Sequence, residues 1–270
     1  MPLTEARSFP GYDAGYRLVA QASSNNLTEN LVVNGTYVAR PFATVYRFEA
    51  PGAYSTAWTH ELVTVGDKTY FAGGSSPAEK HIAPPASYPP LDDLELGAAI
   101  KVSLSFGSDL TPDGAVGQPP DPGAASLALY EWVGPDEFPY PAAPASLMPL
   151  KPLNVTPDWS VATVRSDPRD PTAEQTTTSR WPISPADDMF SVEMRAQTPG
   201  TLRLLLYGIE VGRAWWWDYR QGLEFSPAML RRTDTDAPTT QIDELTFTVV
   251  PERMTGDWAA ALYHGNPPTE

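Results

Sequence analysis

Thirty prolines in 270 residues set the first limit on what this chain can fold into. Proline has no backbone N–H to donate and is excluded from helix interiors and from central strands. The prolines cluster in APPASYPP (83–90), TPDGAVGQPPDPG (111–123), the stretch 133–159 and SDPRDPT (166–172). Long helices are thereby ruled out. No window repeats apolar residues at the i, i+3, i+4, i+7 spacing of a helical stripe either.

Between these breaks lie runs rich in Val, Leu, Thr, Phe and Tyr, the residues that suit a pleated, half-buried surface. They are 31–39, 43–50, 60–65, 68–73, 98–107, 125–133, 190–196, 201–211 and 243–250. In AAIKVSLSF, Ile100, Val102, Leu104 and Phe106 share one face, and Lys101, Ser103 and Ser105 the other, which marks a half-exposed antiparallel strand. Val65-Gly66-Asp67-Lys68 reads as a tight hairpin, Asn34-Gly35 as a second one, and Gln197-Thr198-Pro199-Gly200 as a type II turn.

About nine or ten such strands joined by Pro/Gly-rich segments imply an all-β fold: an antiparallel β-sandwich, jelly-roll-like, with long proline-rich loops and extended terminal arms, a barrel being the alternative. The expected layout is an N-terminal arm over 1–24, one sandwich over 25–250 and a C-terminal arm over 251–270. Pro-rich insertions fall at 83–90, 111–123 and 133–188. No internal repeat is visible in the residues.

Net charge is −15, shared evenly: residues 1–135 carry 14 acids and 7 bases, and residues 136–270 carry 19 and 11. A negative field of that size repels phosphate backbones, so no direct nucleic-acid partner is expected. There is no cysteine, hence no disulfide and no thiolate metal site. Residues 1–13 lack an apolar core of the secretory-signal type, and no stretch of 18 apolar residues is present, so no membrane partner is expected.

Catalytic signatures are missing. The three histidines, His60, His81 and His264, do not stand at metal-ligand spacing, and no nucleophile elbow or phosphate-binding loop occurs. The carboxylate doublets Asp92/Asp93, Asp136/Glu137, Asp187/Asp188 and Asp243/Glu244 would point to opposite faces of an extended chain, so none is itself a glycosidase pair. Asp234 and Asp236 could serve calcium, but Pro238 stands where a third acidic ligand belongs. No cofactor is expected.

The remaining signal is aromatic. In GRAWWWDYRQG (212–222), alternation puts Arg213, Trp215, Trp217 and Tyr219 on one face and Ala214, Trp216, Asp218 and Arg220 on the other. Trp215, Trp217 and Tyr219 of the first set read as core, with Arg213 placed to stack on them. Trp216 is then left for a partner, and Trp216, Arg220, Trp159, Trp181 and Tyr140 are the expected interface residues. The consecutive apolar run Leu204 to Tyr207 calls for cover on both faces, which a proline-rich arm would supply.

These features fit a non-enzymatic structural subunit of a large assembly, of the kind found as decoration, minor capsid or tail protein in a bacteriophage virion. It would be made in the host cytoplasm and would pair with itself, as in a trimer, and with other subunits. Two alternatives use the same features: a carbohydrate-binding, lectin-like module resting on exposed tryptophan, and a glycoside hydrolase resting on carboxylates brought together across strands. A purely cytoplasmic protein is the alternative location.

Overall fold

The computed structural model describes residues 8–49, 58–75, 95–110, 116–117, 123–153, 160–179, 190–220, 224–226 and 245–264. The chain divides into two compact units, Met1–Pro139 and Tyr140–Glu270. The sequence reading drew one domain here, because it took the proline-rich stretch at the joint as an insertion within a single sandwich.

The N-terminal unit contains β1 (Tyr12–Asp13), β2 (Tyr16–Ser24), β3 (Leu31–Thr36), β4 (Phe42–Glu49), β5 (Trp58–Val65), β6 (Lys68–Ser75), β7 (Ala99–Leu110), β8 (Val116–Gly117) and β9 (Ala124–Trp132), then a single helical turn, α1 (Gly134–Glu137). One sheet has the order β1-β2-β9-β4, the other β3-β7-β5-β6 with β8 beside β7. The C-terminal unit contains β10 (Ser160–Arg165), β11 (Gln175–Ser179), β12 (Phe190–Ala196), β13 (Gly200–Leu206), β14 (Ile209–Trp216), β15 (Glu224–Ser226), β16 (Leu245–Glu252) and β17 (Trp258–His264). Its sheets run β10-β17-β12-β15 and β11-β16-β13-β14. Every strand pair is antiparallel. The molecule is thus nearly all-β, with four antiparallel sheets.

Each unit has one main core fed by both of its sheets. In the first, Leu31 and Val33, Val63 and Val65, and Ile100, Val102 and Leu104 meet Phe42, Tyr46, Phe48, Leu127 and Leu129. In the second, Val192 and Met194, Leu202, Leu204 and Leu206, Phe247, Val249, Trp258 and Leu262 do the same. The expected alternation of Ile100, Val102, Leu104 and Phe106 holds: all four are buried and join the first core.

Cover on both faces falls on other strands than expected. All residues of β12, and all of β9 but Trp132, are buried. The outer side of β9 packs under Phe9 with Tyr16, Ala43, Val45, Ala128 and Tyr130. The outer side of β17 packs under Leu150 and Leu153. A short upstream segment of the same chain supplies each cover, and both contain proline, Pro10 in the first and Pro152 in the second. The run Leu204–Tyr207 needs no such cover, because Tyr207 and Gly208, at φ 52° and 81°, form a two-residue turn between β13 and β14.

Other departures have local causes. The Val65–Lys68 hairpin forms as read, with β5 pairing β6 across Gly66 and Asp67. Asn34-Gly35 is no turn but the middle of β3, opposite Lys101 and Ile100. Glycine is needed there for close approach, since a Cβ at Gly35 would lie 2.6 Å from Leu129 Cδ2. Residues 12–24 and 251–264, read as arms, hold paired strands. The stretch 133–188, read as a Pro-rich insertion, holds β10 and β11. QTTTS gives β11 no apolar alternation, and its Thr176 and Thr178 are exposed, so periodicity could not reveal it. Residues 83–90 lie outside the described residues, as do 111–115 and 118–122.

Candidate functional site

The most organised polar face in the described residues is the outer side of β11-β16-β13-β14. A β-bulge builds it. Leu204 pairs with Gly212 but Leu205 pairs with Glu210, so Val211 is left over. The extra residue reverses the alternation of the remaining strand. Glu210 therefore joins Arg213 on one face, although they stand at an odd spacing, i and i+3.

Arg203 and Arg213 stand directly opposite each other on β13 and β14. Like charges in that relation repel. Glu210 resolves the repulsion by binding both: it accepts from Arg203 Nε at 2.8 Å and from Arg213 Nε at 3.0 Å. Arg203 Nη1 also donates to Glu252 Oε1 on β16 at 3.1 Å. Burial works to raise the Glu210 carboxyl, but the two guanidiniums outweigh it and hold the group below the ordinary carboxylate range. The Arg203 guanidinium is pushed up by its hydrogen bonds to Glu252 and Glu210. A carboxylate held ionised in this way is unsuited to act as a general acid. The cluster thus joins two cations and two anions on one polar face.

The aromatic segment continues from this face. Trp215 and Trp217 are half-buried, and the Tyr140 ring stacks on Trp217 at 6.2 Å with 9° between planes. Asp218 ties the exposed end, accepting from the Arg220 N–H at 2.7 Å and pairing with Arg220 Nε at 2.7 Å. Of the five residues expected at an interface, Tyr140 thus stacks on Trp217, and Arg220 pairs with Asp218. Trp159 and Trp181 lie outside the described residues.

Trp216 is a correction. Alternation does separate it from Trp215 and Trp217, but the inward face is the opposite one. Trp216 is 4 % exposed and belongs to the core with Ala214, while Arg213 faces out. The cause is the partner strand. Leu202 lies across from Ala214 and Gly200 across from Trp216, so the core row on β13 fixes which side of β14 is inside. Trp258, also core, donates its Nε1 hydrogen to the Pro171 carbonyl at 2.8 Å.

A second polar grouping lies in the N-terminal unit, beside a shallow cleft lined by Val19, Tyr37, Val38, Arg40 and Phe42. Arg40 holds Glu137 through two hydrogen bonds of 3.0 and 2.7 Å, and Arg17 pairs with Glu131 across β2 and β9. The hydrogen bond from Arg40 is the main reason that the Glu137 carboxyl sits below its ordinary range.

Besides Glu131, two buried carboxylates among the described residues escaped the sequence reading. Glu61, 3 % exposed, accepts the Thr44 hydroxyl hydrogen bond inside the first unit. Glu193, 1 % exposed, accepts from Arg195 Nε at 3.0 Å and from the Tyr263 hydroxyl at 2.8 Å. Both sit in runs that look merely amphipathic, and only the three-dimensional cover makes them interior. His60 lies half-buried on β5. The doublets 92/93, 187/188 and 243/244, and Asp234 and Asp236, are outside the described residues. Among the described residues no group of three His, Cys, Asp or Glu could hold a metal ion, and no helix is long and apolar enough to cross a membrane.

No protein-family model matches the chain, and no curated protein matches it.

Proposed function

We propose that this chain is a non-enzymatic structural subunit of a large assembly, of the virion decoration, minor capsid or tail kind, built from jelly-roll-like β-sandwiches. The observation that carries the reading is strand order. Numbered 1 to 8 from β10 to β17, the C-terminal unit has sheets 1-8-3-6 and 2-7-4-5. The pairs 1·8, 2·7, 3·6 and 4·5 are all neighbours, as in one long hairpin wound over itself. That order is the one a jelly roll would give, a plan that viral capsid proteins and lectins use. The fold alone does not assign the function. What favours the assembly over the sugar-binding alternative is the use of tryptophan: Trp216 and Trp258 are core, and Trp217 is taken up by Tyr140. The salt-bridged face of β13 and β14 supplies fixed polar contacts of the sort that set register between subunits.

Light scattering on the full chain tests this. Trimers or larger species are expected across a concentration series. A monomer at every concentration overturns the reading.

A further inference from the structure

We infer that the chain is a tandem duplication of one seven-strand module, and that each copy is shut by the same device: a short strap, just upstream of its first strand, laid over the outer face of its closing strand.

The two units share one plan. Strands β2, β3, β4, β5, β6, β7 and β9 form the orders β2-β9-β4 and β3-β7-β5-β6. Strands β10, β11, β12, β13, β14, β16 and β17 form β10-β17-β12 and β11-β16-β13-β14. Position for position these are the same; β1, β8 and β15 are additions. A shared strand order alone could be convergent. The agreement extends to irregular detail, which convergence does not supply.

Three such details coincide. First, the opening strand of each unit carries a bulge at one place. In β2 the register slips between Leu18 and Ala20, opposite Tyr130 and Leu129. In β10 it slips between Ser160 and Ala162, opposite Tyr263 and Leu262. Bulges are kept features of a fold, not accidents. Second, the closing strands carry Ala128-Leu129-Tyr130 and Ala261-Leu262-Tyr263 at those matched positions, with each leucine in a main core and each tyrosine on the outer face. Third, both fourth-to-fifth strand connections are two-residue turns closed by one extra bond to the same neighbouring strand. Gly66 N–H donates to Ala99 O at 3.0 Å, and Tyr207 N–H donates to Thr246 O at 3.1 Å.

The straps complete the match. In the first copy Phe9 packs over Ala128 and Tyr130, and the Tyr130 hydroxyl donates to the Pro10 carbonyl at 2.8 Å. In the second, Leu150 and Leu153 pack over Ala261 and Tyr263. An arginine lies at the matched position of each third strand: Arg47, opposite Ser126, sits 4.9 Å from the Phe9 ring centre, and Arg195, opposite Ala259, binds Glu193. The copies differ inside. Counting back from the turns, Glu61 of the first copy matches Leu202 of the second, and Thr44 matches Val192 through their shared leucine partner. One polar pair has thus entered a core that the sister copy builds from apolar residues.

Tyrosine nitration of the full chain by tetranitromethane, mapped by mass spectrometry, tests the matched straps. Tyr130 and Tyr263 are 1 % and 0 % exposed, so both should resist in the wild type. Phe9→Ala should raise modification of Tyr130 about tenfold and leave Tyr263 protected, and Leu153→Ala should do the reverse, as local opening confined to one copy requires. The conservative Phe9→Leu and Leu153→Met should restore protection. If either alanine variant leaves its own tyrosine as protected as before, or exposes both tyrosines alike, the inference fails.

Discussion

Trp216 and Gly200 face each other across β14 and β13, the largest side chain of the segment against the smallest. The pairing makes Trp216 a core residue, and Trp216→Ala should cost about 3–5 kcal/mol of unfolding free energy, the range for removing a buried indole. Denaturant titration measures it. Gly200→Ala should also destabilise, because φ is 150° and the added carbon would lie 2.8 Å from the Glu252 carbonyl oxygen. A loss below about 1 kcal/mol for Trp216→Ala would place the indole outside the core.

The buried Glu193 is held by Arg195 and Tyr263. Arg195→Met keeps the bulk but removes the charge partner, so the carboxylate is left uncompensated in the interior. A loss of about 3–5 kcal/mol is expected. Replacing Tyr263 by Phe removes one neutral donor to a charged acceptor and should cost about 1.5–3 kcal/mol. Equal effects from the two variants would contradict the assignment of Arg195 as the charge partner.

Glu61 and Thr44 make the opposite prediction as a pair. Thr44→Val alone takes a donor from a buried carboxylate and should destabilise by about 1–3 kcal/mol. The double replacement Glu61→Leu with Thr44→Val rebuilds the Leu202 and Val192 arrangement of the other unit. Exchanging a buried polar pair for packed apolar groups is commonly neutral or stabilising, so the double variant should unfold at or above the wild-type midpoint.

The Arg40–Glu137 pair gives a pH dependence with a definite sign. The folded-state pKa of Glu137 is lowered, first by the hydrogen bond from Arg40. The stabilisation is therefore present above the unfolded-state value of about 4.3 and is lost as pH falls through the lower folded value. Arg40→Ala should return the Glu137 titration to the ordinary range, which NMR of its side-chain carboxyl carbon reads directly. An unchanged titration would mean that Arg40 does not hold it.

Much of the architecture was legible, because proline placement and the alternation at Ile100, Val102, Leu104 and Phe106 depend only on local sterics and burial. The hairpin at Gly66-Asp67 was legible for the same reason. What failed was everything decided by a partner strand. Nothing local tells which side of GRAWWWDYR is inside; Leu202 and Gly200, more than ten positions upstream, decide it. Glu210 joins Arg203 and Arg213 only because of an unannounced bulge. Reading Tyr207-Gly208 as a turn would have split the run 201–211 and pointed toward this face. β11 stayed hidden because an exposed threonine strand has no apolar period. The duplication was invisible because the units share backbone irregularities and few side chains.

The hydrogen bond from Tyr130 to Pro10 spans 120 residues, and β2 pairs with β9 over nearly the same distance. The opening strand and strap of each unit therefore have no seat until the closing strand exists. On a ribosome, the first strap and β2 emerge early and wait for β9, while β10 waits for β17. Closure at such long range makes for slow folding with late-arriving order. Until then two sheet faces meant for the interior are open to any neighbour, which puts a premium on completing each unit before the next nascent chain comes near.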